Sequence, residues 1–206
     1  MPPRHAKAIA HLTAADPVLG RWIAEAGPCS LSRERSGTHF GALARSIIYQ
    51  QLSGKAAATI HGRFCALFDD EEPDPRVTLK LPLPKLRAVG LSERKAEYLR
   101  GLAEDVHRDR LPLARIESMP DDEVIAALTQ VRGIGEWTAQ MFLMFRLGRP
   151  DVLPTLDLGV QTAIRRLYGL RKHPAPRRVA TIGAKWAPYR TVASWYLWRV
   201  VDDPPQ

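Results

Sequence analysis

The chain has 206 residues and a mass of 23.0 kDa, which is room for one domain with a full core or for two small lobes. Apolar residues make up 45%, no run approaches the roughly 18 consecutive apolar positions of a membrane helix, and the opening MPPRHAKAIAHL has no signal-peptide core. These features exclude a helical membrane protein and point to the cytoplasm. The net charge of +8 is unevenly placed, with 12 Lys and Arg against 5 Asp and Glu from residue 131 onward and 18 against 17 before it.

In chain order the segments carry a helical period, and no convincing alternating run of β-branched residues occurs, so the fold class expected is all-α. Asp16 or Thr13 can cap a first helix through Val18, Leu19, Trp22 and Ile23 that stops at Gly27-Pro28. The polar SLSRERSG connects it to a helix over about 39–51, with Leu43, Ile47 and Ile48 on one face. After the break at Ser53-Gly54 a second helix runs over about 55–68. The acidic DDEEPDPR is expected as a solvent loop. KLPLPKLRAVGLSERKAEYLRGLAEDV then reads as a short helix, a turn at Gly90 and an amphipathic helix capped by Ser92. A helix over 121–130 leads into VRGIGEWTAQM. Past Gly148-Arg149-Pro150 and an extended DVLPTL, helices are expected over about 158–168, 177–182 and 188–200.

Helix, then residues 131–135 with glycine at 133 and 135, then helix, is a helix–hairpin–helix. Glycines there permit positive φ and remove the Cβ, so a flat backbone and the free N–H groups of the following helix can approach a phosphate. A bare turn between two helices with no ligand is the plainer reading, and the basic C-terminal third favours a polyanion instead. Cys29 and Cys65 are too few for a disulfide framework or a four-cysteine metal site, and the six histidines show no metal-ligand spacing.

VRGIGEWTAQ, followed after about twenty residues by LPTLDLGV, resembles the hairpin, Gly/Pro-rich loop and aspartate of the helix–hairpin–helix (HhH-GPD) superfamily of base-excision DNA glycosylases. SIIYQQLSGKAAATIHGRF and KWAPYRTVASWYLWR extend the likeness, which is greatest to the 3-methyladenine DNA glycosylase II group and spans residues 12–201. The resemblance implies two helical lobes flanking a cleft, residues 38–147 in one and residues 1–37 with 148–206 in the other. Larger members carry an N-terminal β domain, and this chain starts close to the first shared helix, as a compact version would. The implied function is monofunctional hydrolysis of the N-glycosidic bond of alkylated bases such as 3-methyladenine and 7-methylguanine in duplex DNA, by base flipping. A non-catalytic DNA-binding module and a glycosylase for oxidised or mismatched bases are the alternatives.

Residue by residue, the resemblance gives Asp157 the catalytic role. A carboxylate beside C1′ stabilises the oxocarbenium-like state, and a helix N-terminus is a setting that favours negative charge. Simple capping of the next helix is the plainer reading, and both can hold. Trp137 stands where lyase relatives such as endonuclease III carry the nucleophilic lysine, so no Schiff-base step is expected. Trp137, Trp198, Met141 and Tyr49 are the base-pocket candidates, because electron-rich rings attract cationic alkylated purines. Met141 replaces a frequent tyrosine. Trp186, Tyr189, Trp195 and Tyr196 are weaker candidates, more often core. The gap left by a flipped base falls to Leu52 or, with a one-residue slip, Gln51. Gly133, Gly135, Arg132 and Lys55 are assigned to the DNA backbone, and the carbonyls of Thr129, Val131 and Ile134 to a structural Na+ or K+. No cofactor is expected for catalysis. The partner is double-stranded DNA, the protein a monomer, cytoplasmic and nucleoid-associated if bacterial.

Overall fold

The computed structural model describes residues 5–202. Among these residues there is no strand. Twelve α-helices follow in order: α1 (Ala6–Ala15), α2 (Pro17–Ala26), α3 (His39–Tyr49), α4 (Gly54–Cys65), α5 (Pro75–Lys80), α6 (Leu83–Ala88), α7 (Glu93–His107), α8 (Asp121–Thr129), α9 (Glu136–Met141), α10 (Leu158–Leu167), α11 (Pro176–Gly183) and α12 (Arg190–Asp202). No helix among them is long and apolar enough to cross a membrane.

The chain packs as two units. Glu34–Leu147 forms one, and the segments on either side of it, up to Arg33 and from Gly148, form the other.

In the 34–147 unit, α3 packs on α4 and α7, and α5 and α6 lie along α7. The faces that meet are apolar: Leu43, Ile47 and Ile48 from α3, Phe64 from α4, Leu86 from α6, and Leu99 and Leu102 from α7 are all fully buried. Thr38, Asp74 and Ser92 start α3, α5 and α7 by accepting the N–H groups of Gly41, Val77 and Lys95. The segment expected as a solvent loop is in fact partly helical. Asp74 as cap with Pro75 at the first helical position nucleates α5, so the helix begins inside DDEEPDPR. After α9 the chain widens into a π-helical turn over Phe142–Leu147, and Arg146 from that turn donates to the carbonyls of Glu34, Ser36 and Gly37. Two ends of this unit are thereby tied together, since the Glu34 N–H also donates to the Phe145 carbonyl at 2.8 Å.

In the other unit, α12 packs on α10 and α2, and α1 on α2. Helix α1 was not anticipated: its alanine-rich stretch shows only a weak amphipathic pattern, and its burial rests on Ala8 and Leu12. Asp16 ends α1, caps α2 through the N–H groups of Val18 and Leu19, and excludes Thr13 as the cap. Trp186 and Tyr196 are wholly buried, with the Trp186 indole N–H on Asp16 and the Tyr196 hydroxyl donating to the Gly27 carbonyl. Both rings are core rather than pocket.

Candidate functional site

The hairpin is built by short-range hydrogen bonds. Helix α8 stops at Thr129, the Val131 N–H donates to the Leu128 carbonyl at 3.1 Å, and the Ile134 N–H donates to the Val131 carbonyl at 3.0 Å. Its two glycines have different reasons for being there. Gly133 has φ +95°, and a Cβ at that position would lie 2.3 Å from the Tyr98 ring. Gly135 has φ −97° and ψ 172°, an extended conformation open to any residue, and a Cβ there would meet nothing within 4 Å. The expectation of positive φ at Gly135 is therefore corrected: it is the N-cap of α9, a position that takes extended backbone. Its bareness leaves room for something outside the chain.

These facts separate two substitutions. Gly133→Ala is expected to destabilise the protein by about 2–4 kcal/mol, from left-handed backbone plus ring overlap. Gly135→Ala is expected to cost no more than about 1 kcal/mol, the loss of a preferred N-cap residue, and to bind duplex DNA several-fold more weakly. Thermal melts and fluorescence anisotropy on the two variants check both.

Two further residues brace the hairpin, and sequence reasoning missed them. Gln50 donates from its side chain to the Gly133 carbonyl at 2.8 Å, and Lys95 reaches the carbonyls of Ile48 and Gln50 at 2.8 and 2.7 Å. Burial pulls the Lys95 ammonium below its usual pKa. The turn between α3 and α4 is thus fastened to the hairpin. On that turn Gln51 adopts φ +56°, uncommon for a residue with a side chain, and Leu52 is 39% exposed. An ordinary core role for Leu52 does not fit that exposure. Lys55 and Arg132 are exposed, the latter with its guanidinium 5.7 Å from the Tyr98 ring centre.

Trp137, on the first turn of α9, is 49% exposed, which contradicts a core role. Met141 follows four residues later on the same helical face and is half-buried. Tyr49 is half-buried too, but the Arg45 guanidinium sits over its ring at 5.0 Å and His61 packs against it in a T-shaped pair, so one ring face is already covered.

The candidate carboxylate lies in the other unit. Residues 154–157 form a turn closed by the Asp157 N–H on the Pro154 carbonyl at 3.0 Å, and Gln161 braces it by donating to the Thr155 carbonyl at 2.9 Å. Asp157 then caps α10. Its Oδ1 accepts the Val160 N–H at 2.7 Å and, from α12, the Trp198 indole N–H at 3.0 Å. Leu156 and Leu158 on either side are 58% and 64% exposed, two large apolar side chains in water around a carboxylate. Trp198 is half-buried, and Arg166 ties α10 to α12 by donating to the Val200 carbonyl at 3.0 Å. Among the described residues no group of three or more His, Cys, Asp or Glu side chains could hold a metal ion.

Residues 44–188 match the HhH-GPD superfamily of base excision DNA repair proteins. The DNA-3-methyladenine glycosylase 1 of Schizosaccharomyces pombe is 37% identical over 159 residues, covering 76% of this chain and 70% of that one. Among solved structures, the DNA-3-methyladenine glycosidase from Bacillus halodurans superposes with a TM-score of 0.86 at 38% identity, covering 95% of this chain and 89% of that one. The S. pombe 3-methyladenine DNA glycosylase in complex with abasic DNA gives 0.83 at 33% identity, covering 97% and 99%.

Proposed function

Because the chain belongs to the HhH-GPD superfamily of base excision DNA repair proteins, we propose that it hydrolyses the N-glycosidic bond of alkylated bases, 3-methyladenine and 7-methylguanine among them, in duplex DNA. The observation that carries this reading is the Asp157 carboxylate, capping α10 with one oxygen clamped by two N–H donors, in a chain similar over most of its length to enzymes named for 3-methyladenine.

A base alkylated at N3 or N7 already carries positive charge. When the C1′–N bond breaks, the base takes the bonding pair and leaves neutral, while positive charge moves to the sugar. Asp157 stabilises that charge and orients the water that adds to C1′; the water's proton passes to the carboxylate or to solvent. An abasic site and a free base result. Trp198 offers a ring face next to the carboxylate, and Trp137 and Met141 an apolar face on α9, for stacking against the extruded base. Leu52, or Gln51 beside it, fills the space the base vacates. Gly133, Gly135, Arg132 and Lys55 meet the backbone of the duplex.

A monovalent cation, Na+ or K+, would be held at the hairpin by the carbonyls of Thr129, Val131 and Ile134. The fit is reasonable: Thr129 ends α8, so its carbonyl lacks an intrahelical donor, and Val131 spends only one lone pair on the Ile134 N–H. The ion would link the hairpin to a phosphate, and the chemistry runs without it and without any catalytic cofactor. The protein would act as a monomer in the cytoplasm, at the nucleoid if it is bacterial.

Trp137 stands where lyase relatives place the attacking lysine, so the reaction stops at the abasic site. Incubation with methylated duplex DNA is expected to release free 3-methyladenine by chromatography, and sodium borohydride is expected to trap no covalent protein–DNA adduct. DNA binding without base release would favour a binding module, and a trapped adduct would overturn the monofunctional reading.

A further inference from the structure

Three facts converge on one ring. The Trp198 indole N–H donates to Asp157 Oδ1 at 3.0 Å, the same oxygen that takes the Val160 N–H at 2.7 Å. Gly159, two residues after the aspartate, lies under this contact. A Cβ there would stand 3.0 Å from Asp157 Oδ1, 3.0 Å from Trp198 Cδ1 and 3.4 Å from its Nε1. Gly159 has no positive φ to explain it, stands at the second position of α10, and is the residue whose lack of a side chain lets carboxylate and indole edge meet.

We propose that Trp198 is a positioning residue: its N–H fixes the rotation of the Asp157 carboxylate, and Gly159 is the space that makes this contact available. The inference rests on the reading of Asp157 as the catalytic group. A backbone cap alone holds Oδ1 from one side and leaves the carboxylate plane able to turn about that bond. A second donor, rigid and projecting from a different helix, removes that freedom. Arg166, on α10, pins α12 at the Val200 carbonyl two residues past Trp198, so the donor rests on a braced helix. The role differs from ring stacking because it uses the edge of the indole, not its face.

The distinguishing substitution keeps the ring and deletes the N–H. Replacing Trp198 with benzothienylalanine puts sulfur in place of the indole nitrogen at nearly constant shape. The single-turnover rate of base release from methylated duplex is expected to fall by about 10- to 100-fold, the cost of a carboxylate misplaced by up to an ångström. Affinity for an abasic-site duplex is expected to stay within about threefold, because binding does not use the carboxylate's orientation. Gly159→Ala, which retains the N–H but crowds both partners by a few tenths of an ångström, is expected to show the same split more mildly. A benzothienylalanine protein that releases base at the wild-type rate overturns the positioning role while leaving the glycosylase reading intact. A wild-type protein that binds abasic DNA but releases no base from methylated duplex overturns the glycosylase reading and this inference with it. Loss of rate and affinity together would mark the ring as a binding surface only, and would also overturn the proposal.

Discussion

Asp157→Asn is expected to bind abasic duplex DNA about as tightly as the wild type and to release alkylated base on the order of 10³-fold more slowly. The amide keeps the shape of the side chain and can still accept the Val160 and Trp198 N–H groups on its oxygen, so α10 keeps its cap and α12 its anchor. What is lost is the negative charge facing a sugar that turns cationic. Preorganised charge of this kind acts in the transition state and hardly at all in the bound ground state, so the loss falls on the rate and spares the affinity. Quantification of free base by chromatography in single-turnover conditions, beside anisotropy titrations on an abasic duplex, reads the two effects separately. Equal loss of both would reduce Asp157 to a helix cap.

The sequence made some of this legible because local chemistry was enough. Asp16, Ser92 and Asp157 cap their helices through contacts two or three residues away, and an eye for capping residues finds them. The signal for α5 was equally local, an aspartate before a proline, but the acidic run around it reads as solvent loop. Long-range hydrogen bonds were harder to read. The resemblance put Trp198 near Asp157, but nothing in the sequence specifies the hydrogen bond between them across 41 residues, or pairs Gln50 with Gly133 across 83. The glycines show the same limit. Both hairpin glycines look alike in VRGIG, yet one is required by a tyrosine 35 positions earlier in the chain, while the other caps α9 with nothing among the described residues within 4 Å of where its Cβ would stand. Gly159 in DLGV carried a usable hint, since a glycine in the first turn of a helix, two residues after a candidate acid, asks what it makes room for.

The largest loss of stability is expected from Asp16→Ala. Asp16 is fully buried, and besides the two backbone N–H groups of α2 its carboxylate accepts the Tyr168 hydroxyl, the Trp186 indole N–H at 2.8 Å and the Lys185 ammonium at 3.1 Å. One carboxylate thus joins the α1–α2 junction, the end of α10 and the turn after α11. Truncation leaves a buried hydroxyl and indole without their acceptor and an ammonium without its counter-ion, a loss of about 3–5 kcal/mol and a fall in Tm of roughly 10 °C for a chain of this size. Burial alone would raise the Asp16 pKa, but the hydrogen bonds from Tyr168, Trp186 and Lys185 outweigh it and hold the group below its ordinary value of 3.8. The sign of the pH dependence follows. A carboxyl with a depressed folded-state pKa binds its proton more readily when unfolded, so its contribution is complete above that ordinary value and is lost as the pH falls through and below it. Thermal melts of wild type and variant should therefore differ most at neutral pH and by less under acid, as the pH falls below about 4. A gap that stays constant down to pH 3 would mean that Asp16 acts through shape alone, with its charge contributing nothing to the fold.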